Sequence, residues 1–213
     1  MAQRDNDLPA APRRGRPRDP ERFRRIMEAA RNHFYARGLE RASVDAIAAE
    51  AGVSKMTVYS NFGSKEGLFE AVVQERTERV MGDADALDPL QPHKALLAVG
   101  EQFLALAREK QTLGKLRSLY GAAGAHPEAC QAFYRQGAER LNGELATYLT
   151  RANDAGTLKV KNPRLAADLF LAMFLGDGRI RGLLMLQMPD ARENKALLRE
   201  VVRVFMAAYG VAG

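Results

Sequence analysis

Apolar residues recur along most of the chain at intervals of three or four positions, which is the period of an α-helix. One such stripe comprises Ile26, Ala30 and Phe34, and a later one includes Leu141 and Leu145. No stretch alternates apolar and polar residues as a half-buried strand does, and no repeat of solenoid length is present. The pattern therefore predicts an all-α protein.

Turn and capping residues divide the N-terminal third into four helices. Asp19 and Pro20 predict the start of the first helix, and Gly38 its end. Gly52 closes a short second helix, because glycine readily takes the left-handed conformation of a tight turn. Ser54 and Ser64 are placed to cap the third and fourth helices. Two short helices joined in this way are typical of a helix-turn-helix.

The distribution of proline and aspartate predicts the domain organisation. Residues 1–18 are expected to form a disordered basic arm, and residues 19–65 a three-helix domain that carries the helix-turn-helix. Residues 66–213 are expected to form a larger helical domain that begins with a linking helix over 66–81. The Asp- and Pro-rich stretch 82–92 then breaks the chain.

Composition excludes several classes of protein. The 213 residues are 46% hydrophobic and 27% charged, an ordinary balance for a globular protein. One cysteine and three scattered histidines provide neither an intrachain disulfide nor a zinc ligand set, so we expect no metal and no cofactor. The longest apolar run, 169–176, is far below the roughly 20 residues of a membrane span, and the start resembles no signal peptide. We therefore expect a cytoplasmic protein that does not bind membranes.

The charge is concentrated at the N-terminal end. The net charge is +6, and residues 1–65 carry 13 Lys and Arg against 8 Asp and Glu, whereas residues 66–213 carry 19 against 18. This asymmetry is expected of a polyanion-binding end joined to a neutral body, although a solvated basic tail would give the same count. Arg14 and Arg16 lie in a sequence that resembles an AT-hook, so they either enter an A·T-rich minor groove or attract DNA only electrostatically.

The helix-turn-helix carries the most specific signal. Ala48 and Gly52 stand four residues apart among apolar positions, as two closely crossing helices require. The first turn of the third helix, Lys55-Met56-Thr57, is then exposed and suited to a DNA major groove.

The segment over residues 43–73 resembles the TetR family of bacterial transcriptional repressors. The family pattern is present as a set of eight residues: Val53, Ser54, Val58, Tyr59, Phe62, Lys65, Glu66 and Leu68. The remainder of the chain resembles, more weakly, the AefR-like regulatory domains of this family.

The resemblance implies roles for individual residues at the DNA. Lys55 and Thr57 would contact base edges, with Met56 making an apolar base contact. Ser43, Tyr59, Asn61 and Lys65 would contact phosphates, and Ser54, which caps the third helix, belongs to the same site.

The resemblance also implies a dimer and an effector pocket in the C-terminal domain. The last two helices would pair with those of a second copy, through a set of apolar residues: Phe170, Phe174, Leu184, Leu197, Val201 and Phe205. The pocket would hold a small apolar or aromatic effector, against a second set: Phe103, Tyr120, His126, Tyr134, Met173 and Phe174.

These expectations describe a sequence-specific transcriptional regulator, most simply a repressor that a small molecule releases from a palindromic operator in double-stranded DNA. The alternative is an effector-independent architectural or cell-division DNA-binding protein on the same fold. An enzyme is not expected, because the chain has no phosphate-binding glycine loop, metal-ligand spacing or recognisable catalytic triad.

Overall fold

A computed structural model describes residues 19–124 and 127–211, and within these ranges the chain is built from helices. The only strand-like pairing there is an isolated bridge between Leu158 and Gly210. The prediction of an all-α protein is therefore confirmed. Eleven α-helices follow in chain order in the described ranges: α1 Pro20–Arg41, α2 Val44–Ala51, α3 Lys55–Phe62, α4 Lys65–Met81, α5 Pro92–Arg108, α6 Lys110–Ala122, α7 Pro127–Tyr134, α8 Arg140–Asp154, α9 Pro163–Met173, α10 Gly176–Leu183 and α11 Ala191–Tyr209.

The predicted capping residues are found at the helix ends of the N-terminal bundle, as we call α1 to α4. The Asp19 side chain accepts hydrogen bonds from the first backbone N–H groups of α1, and Ser54 and Ser64 cap α3 and α4. Gly52 ends α2 in the left-handed conformation, with φ of 65°. At Gly38 the backbone leaves helical geometry, and α1 ends one short turn later, at Arg41.

The protein has two separate hydrophobic cores, which are formed by consecutive parts of the chain. The first contains buried residues from Ile26 to Val73 and holds the N-terminal bundle together. The second begins at Val80 and fills the body, as we call α5 to α11. The two cores therefore meet within α4, whose first half belongs to one and whose second half belongs to the other. A boundary at residue 65, as expected from the sequence, would assign Leu68 to the C-terminal domain, although this residue is fully buried in the first core.

An aromatic column runs through the core of the body. Phe174 packs edge-on against Phe103 and Phe170, with ring centroids 6.1 and 5.2 Å apart. Phe170 in turn contacts Phe205 at 5.1 Å, and Phe205 contacts Tyr209 at 4.8 Å. Edge-to-face packing of this kind adds about 0.5–1.5 kcal/mol per pair to the burial of the rings. It fixes α5, α9 and α11 against one another.

Three of the predicted site residues, Arg14, Arg16 and His126, lie outside the described residues. In the part of the chain that is described, none of the helices has the length and apolar character needed to cross a lipid bilayer.

Candidate functional site

The helix-turn-helix is formed by α2, α3 and the tight turn at Gly52. The backbone N–H of Val53 donates to the carbonyl of Ala48 at 3.0 Å, which closes the turn. Ser43 caps α2 by accepting from Ala46 N at 3.4 Å. At the start of α3 the Met56 side chain is 75% exposed, although it is apolar. An exposed apolar residue at the start of a short polar helix is available to contact another molecule.

Lys55 forms an ion pair across the two helices. Its Nζ donates to Asp45 Oδ2 at 2.9 Å, and both side chains remain at least half exposed. This hydrogen bond and the charge of Asp45 raise the pKa of Lys55. The structure therefore holds the Lys55 side chain against α2.

The polar groups of α3 are organised by bonds within the helix itself. The hydroxyls of Ser54 and Thr57 lie 2.9 Å apart, and Ser54 Oγ accepts from Thr57 N at 3.1 Å. Asn61 Nδ2 donates to the carbonyl of Thr57 at 2.7 Å, while Tyr59 stays exposed. These bonds fix the arrangement of the hydroxyl and amide groups of α3.

Lys65 and Gly67 fix the junction between α3 and α4. Lys65 Nζ donates to the carbonyl of Glu40 at 3.1 Å, so this residue ties α4 to the end of α1. Gly67 packs directly against the backbone carbonyl of Phe62, where a Cβ atom would clash. Sequence reasoning did not identify Gly67, and the signal for it was a glycine in the first turn of a helix.

A second candidate site is a cavity of about 180 Å³ between α4 and the body, which opens to solvent at the exposed residues Asp168 and Ala172. Six helices contribute to its wall, together with a π-helical segment, Arg135–Glu139, that joins α7 to α8. Such segments are frequent at functional sites because they displace the helix wall locally. The apolar part of the wall consists of Phe103, Leu106, Ala107, Leu116, Ala138, Leu141, Leu171, Ala172 and Leu175.

The polar part of the cavity wall centres on Asn142, which is 8% exposed. Its Nδ2 donates to Asp168 Oδ1 at 3.5 Å, whereas its Oδ1 is buried and has no partner among the described residues. Arg76, Thr77 and Arg179 also line the cavity. Asn142 was not predicted from the sequence, although its position as a polar residue next to the apolar stripe of α8 was a usable signal.

Most of the predicted pocket residues do not line this cavity. Phe103 lines the cavity, whereas Phe174 is buried in the aromatic column and Met173 packs against the same core. Tyr134 is exposed at the end of α7. Tyr120 is also exposed, but its hydroxyl accepts a hydrogen bond from Arg179, so it contacts the cavity only through that arginine.

The predicted dimer residues require a correction. Four of them are almost completely buried inside one protomer, because they form the core between α5, α9 and α11: Phe170, Phe174, Val201 and Phe205. Leu197 packs partly against that core, and Leu184 is exposed.

A different apolar surface is exposed on the C-terminal helices. Of the thirteen large apolar side chains that are exposed in the described residues, eight lie between residues 165 and 211. The apolar face, as we call this group on α9 to α11 and the turn after α10, comprises Leu165, Leu169, Ile180, Leu184, Met185, Leu186 and Val204. This concentration of exposed apolar side chains in one part of the chain marks a candidate protein interface.

Within residues 19–124 and 127–211, the acidic, cysteine and histidine side chains form no group of three that is able to hold a metal ion.

Two family models match the chain. Residues 26–72 match the model described as bacterial regulatory proteins, tetR family. Residues 94–211 match the model of the AefR-like transcriptional repressor C-terminal domain.

Individual proteins that are similar to this chain are also transcriptional regulators. A transcriptional repressor of Mycobacterium tuberculosis, Rv1474c, is 31% identical over 97 residues, which cover 46% of this chain and 52% of that protein. The chain thus spans about half the length of this relative. The Bacillus subtilis regulator YvkB is 25% identical over 72% of this chain and 79% of its own.

Solved structures share the fold along almost the whole chain. A TetR-family regulator from Mesorhizobium loti superposes with a TM-score of 0.60 and 26% identity, covering 92% of this chain and 100% of that one. The flavonoid-responsive regulator FrrA has a TM-score of 0.59, the same identity and the same coverage.

Proposed function

The chain belongs to the TetR family of bacterial regulatory proteins and is a DNA-binding transcriptional regulator, and we propose that it is a repressor released from its operator by a small molecule. Members of this family bind DNA, typically act as dimers, and are regulators rather than enzymes. The observation that carries the proposal is the position of α4, which follows the exposed helix-turn-helix directly and also lines the cavity.

The DNA contacts are proposed for the exposed polar groups of the helix-turn-helix. Lys55, Met56 and Thr57 read base edges, and Lys55 exchanges Asp45 for a guanine when it does so. Ser43, Tyr59, Asn61 and Lys65 contact phosphates around this turn, while Ser54 holds the first turn of α3 in place.

The apolar face is proposed as the dimer interface. Two copies reading one DNA face bind half-sites roughly 34 Å apart, so the operator is a palindrome. Replacing Ile180 and Leu184 together by Asp should give a folded monomer in sedimentation. The same change at exposed Leu90, which lies outside this face, should leave the dimer intact.

Release is proposed to act through α4, which both domains share. Arg31 on α1 pairs with Glu75 of this helix at 2.8 Å, and Arg79 pairs with Glu109 between α5 and α6 at 3.1 Å. Thr112, a cavity residue, also donates to Glu109, at 3.0 Å. A ligand that favours one position of α4 therefore shifts the population of spacings between the two recognition helices of a dimer.

The proposal is tested by selecting DNA from a random pool with the purified dimer and titrating the selected site in rising salt. We expect a palindrome bound roughly 1,000-fold or more above shuffled DNA. Lys55→Ala should lose roughly 10- to 100-fold in affinity for that site, whereas Lys159→Ala on the body should lose little. Equal affinity for selected and shuffled DNA would overturn the regulator proposal, and a site that no compound releases would favour the architectural alternative.

A further inference from the structure

A cleft rich in basic side chains lies next to the cavity, where α1, α4 and the start of α6 meet. Its volume is about 370 Å³, and it shares three wall residues with the cavity, Arg76, Leu106 and Thr112. The junction cleft, as we call it, is also lined by five other charged residues: Arg31, Glu75, Arg79, Glu109 and Lys115. Because Arg76 belongs to both walls, a molecule that fills the cavity can place one end at this arginine.

The described residues of the junction cleft carry more positive than negative charge. Four basic side chains line it, whereas its carboxylates are two, Glu75 and Glu109. Glu75 pairs with Arg31 at 2.8 Å. Glu109 pairs with Arg79 at 3.1 Å. Two positive charges of this wall therefore exceed its carboxylates, and such an excess attracts an anion.

The surroundings of Lys115 show that the basic side chains of the junction cleft act on one another. Burial and the charges of Arg31 and Arg76 lower the pKa of Lys115, while Glu109 and Glu28 act in the opposite direction. Arg31 lies on α1, Arg76 on α4 and Lys115 on α6. Cations from three helices are thus close enough to repel one another, and an anion between them would offset this repulsion.

The cavity provides space for an apolar group beside these cations. Its wall is mostly aliphatic or aromatic, and its volume of about 180 Å³ is close to the roughly 150 Å³ of an apolar protein cavity that accommodates benzene. A chain of about six to eight carbons, or one small ring, suits this space. Arg179 and Asp168 bring opposite charges to the cavity wall, and Arg76 adds a further positive charge.

We propose that the cavity and the junction cleft together bind a small amphiphilic anion, with its apolar chain in the cavity and its anionic group between Arg76 and Lys115. This inference rests on the proposed effector-responsive function and identifies the chemical class of the effector. The sequence predicted an apolar or aromatic effector, and the junction cleft adds an anionic group to that prediction. Since the cleft lies between α1 and α6, the bound anion connects the N-terminal bundle to the body.

The test measures binding to the full-length protein by calorimetry near neutral pH, with probes that share one chain and differ in charge. Octanoate is the anion, 1-octanol the neutral probe and octylammonium the cation. Octanoate should bind roughly tenfold or more above the other two, because hydrogen bonds between charged groups are stronger than those of neutral groups. Acetate, which keeps the carboxylate but lacks the chain, should bind roughly 100-fold or more below octanoate.

Two variants test the basic side chains that the proposal uses. Arg76→Met and Lys115→Met each remove one positive charge and keep an unbranched side chain. Each should weaken octanoate binding roughly tenfold and change octanol binding less than about twofold, whereas a merely structural role would weaken both probes. Lys110→Met is the matched control, because it removes the same charge from an exposed position of α6 outside the junction cleft. Circular dichroism of each variant reports folding, and Lys115→Met keeps the test decisive if Arg76→Met does not fold.

Several outcomes would overturn the inference. Octanoate that binds no more tightly than octanol, or not at all, would do so, as would acetate that binds as tightly as octanoate. A preference for octanoate that is unchanged in every folded cleft variant, or is lost equally in Lys110→Met, would have the same meaning.

DNA binding separates this inference from the proposed function. Release of the selected operator by octanol or octylammonium but not by octanoate would overturn the inference, while it would support the proposed repressor. Selective octanoate binding by a protein without specific DNA binding would support the amphiphile site and overturn the repressor proposal.

Discussion

The helix-turn-helix and the body cavity differ in how far apart in the sequence their contacting residues lie. At the helix-turn-helix, Ser54 and Thr57 are three residues apart, and the turn from Ala48 to Val53 closes within five. In the cavity, Asn142 and Asp168 are 26 residues apart and share a wall with Arg76 from the linking helix α4. A site made from neighbouring residues is recognisable in the sequence, whereas a site made from distant residues depends on how the helices pack.

The strongest test of this contrast removes a long-range contact from the body. Phe205→Ala deletes a fully buried ring between α9 and α11 and should lower the free energy of unfolding by about 3–5 kcal/mol. Chemical denaturation monitored by circular dichroism measures this loss. The exposed Lys195→Ala on the same helix should change stability by less than about 0.5 kcal/mol. A small effect at Phe205 would show that the aromatic column is not the main support of the body.

The second test adds an atom to the N-terminal bundle. Gly67→Ala places a Cβ against the carbonyl of Phe62, so α3 and α4 have to move apart, at a cost of about 1–3 kcal/mol. Binding of the selected operator should weaken as well, because α3 is displaced. Gly121→Ala is the matched control, since nothing lies near its added methyl group and helix propensity should raise stability slightly. Equal stability of the two variants would mean that the junction accepts the methyl group without strain.

A smaller effect is expected at Tyr148, where the body holds a buried phenol. Burial raises the pKa of Tyr148 to about 12, and its hydroxyl donates to the carbonyl of Asp88 at 3.2 Å. Tyr148→Phe should cost about 1 kcal/mol near neutral pH.

The pH dependence of this variant provides the sharper measurement. Since the pKa is higher in the folded state than its usual value of about 10, the stability that Tyr148 contributes is present below pH 10 and is lost as the pH rises through 12. Over this range the wild-type protein should lose more stability than Tyr148→Phe. The exposed Tyr134→Phe should follow the wild type, and identical slopes for all three proteins would contradict the role of burial.

The smallest effect is expected from the ion pair on the helix-turn-helix. Asp45→Asn releases Lys55 and removes a negative charge, so affinity for shuffled DNA should rise roughly two- to fivefold at low salt. Salt titration of fluorescence anisotropy measures the change, which should fade above roughly 0.3 M salt. The exposed Asp154→Asn on the body controls for net charge. Weaker binding of Asp45→Asn would indicate that Asp45 positions Lys55 for DNA.

The sequence allowed the helical fold, the capping residues and the turn of the helix-turn-helix to be predicted, because each depends on residues a few positions apart. It did not predict the Lys55–Asp45 pair, which forms only where α2 and α3 cross. The dimer residues show the same limit. Periodicity marks one stripe of α9 and α11 as apolar, but only packing shows that Phe170 and Phe205 face the protomer core while Leu169 and Val204 remain exposed.

The helix shared by the two cores has a practical consequence for exchanging parts between related regulators. A chimera joined at residue 65 would take Leu68 and Val72 from a different parent than Ile26 and Val58, which they pack with. A junction after Gly82 keeps the first core from one parent and leaves the interdomain mismatch at Val80 and Met81. Arg76 and Thr77, which line the cavity, and Arg79, which pairs with Glu109, then have to be adapted to the new body as well.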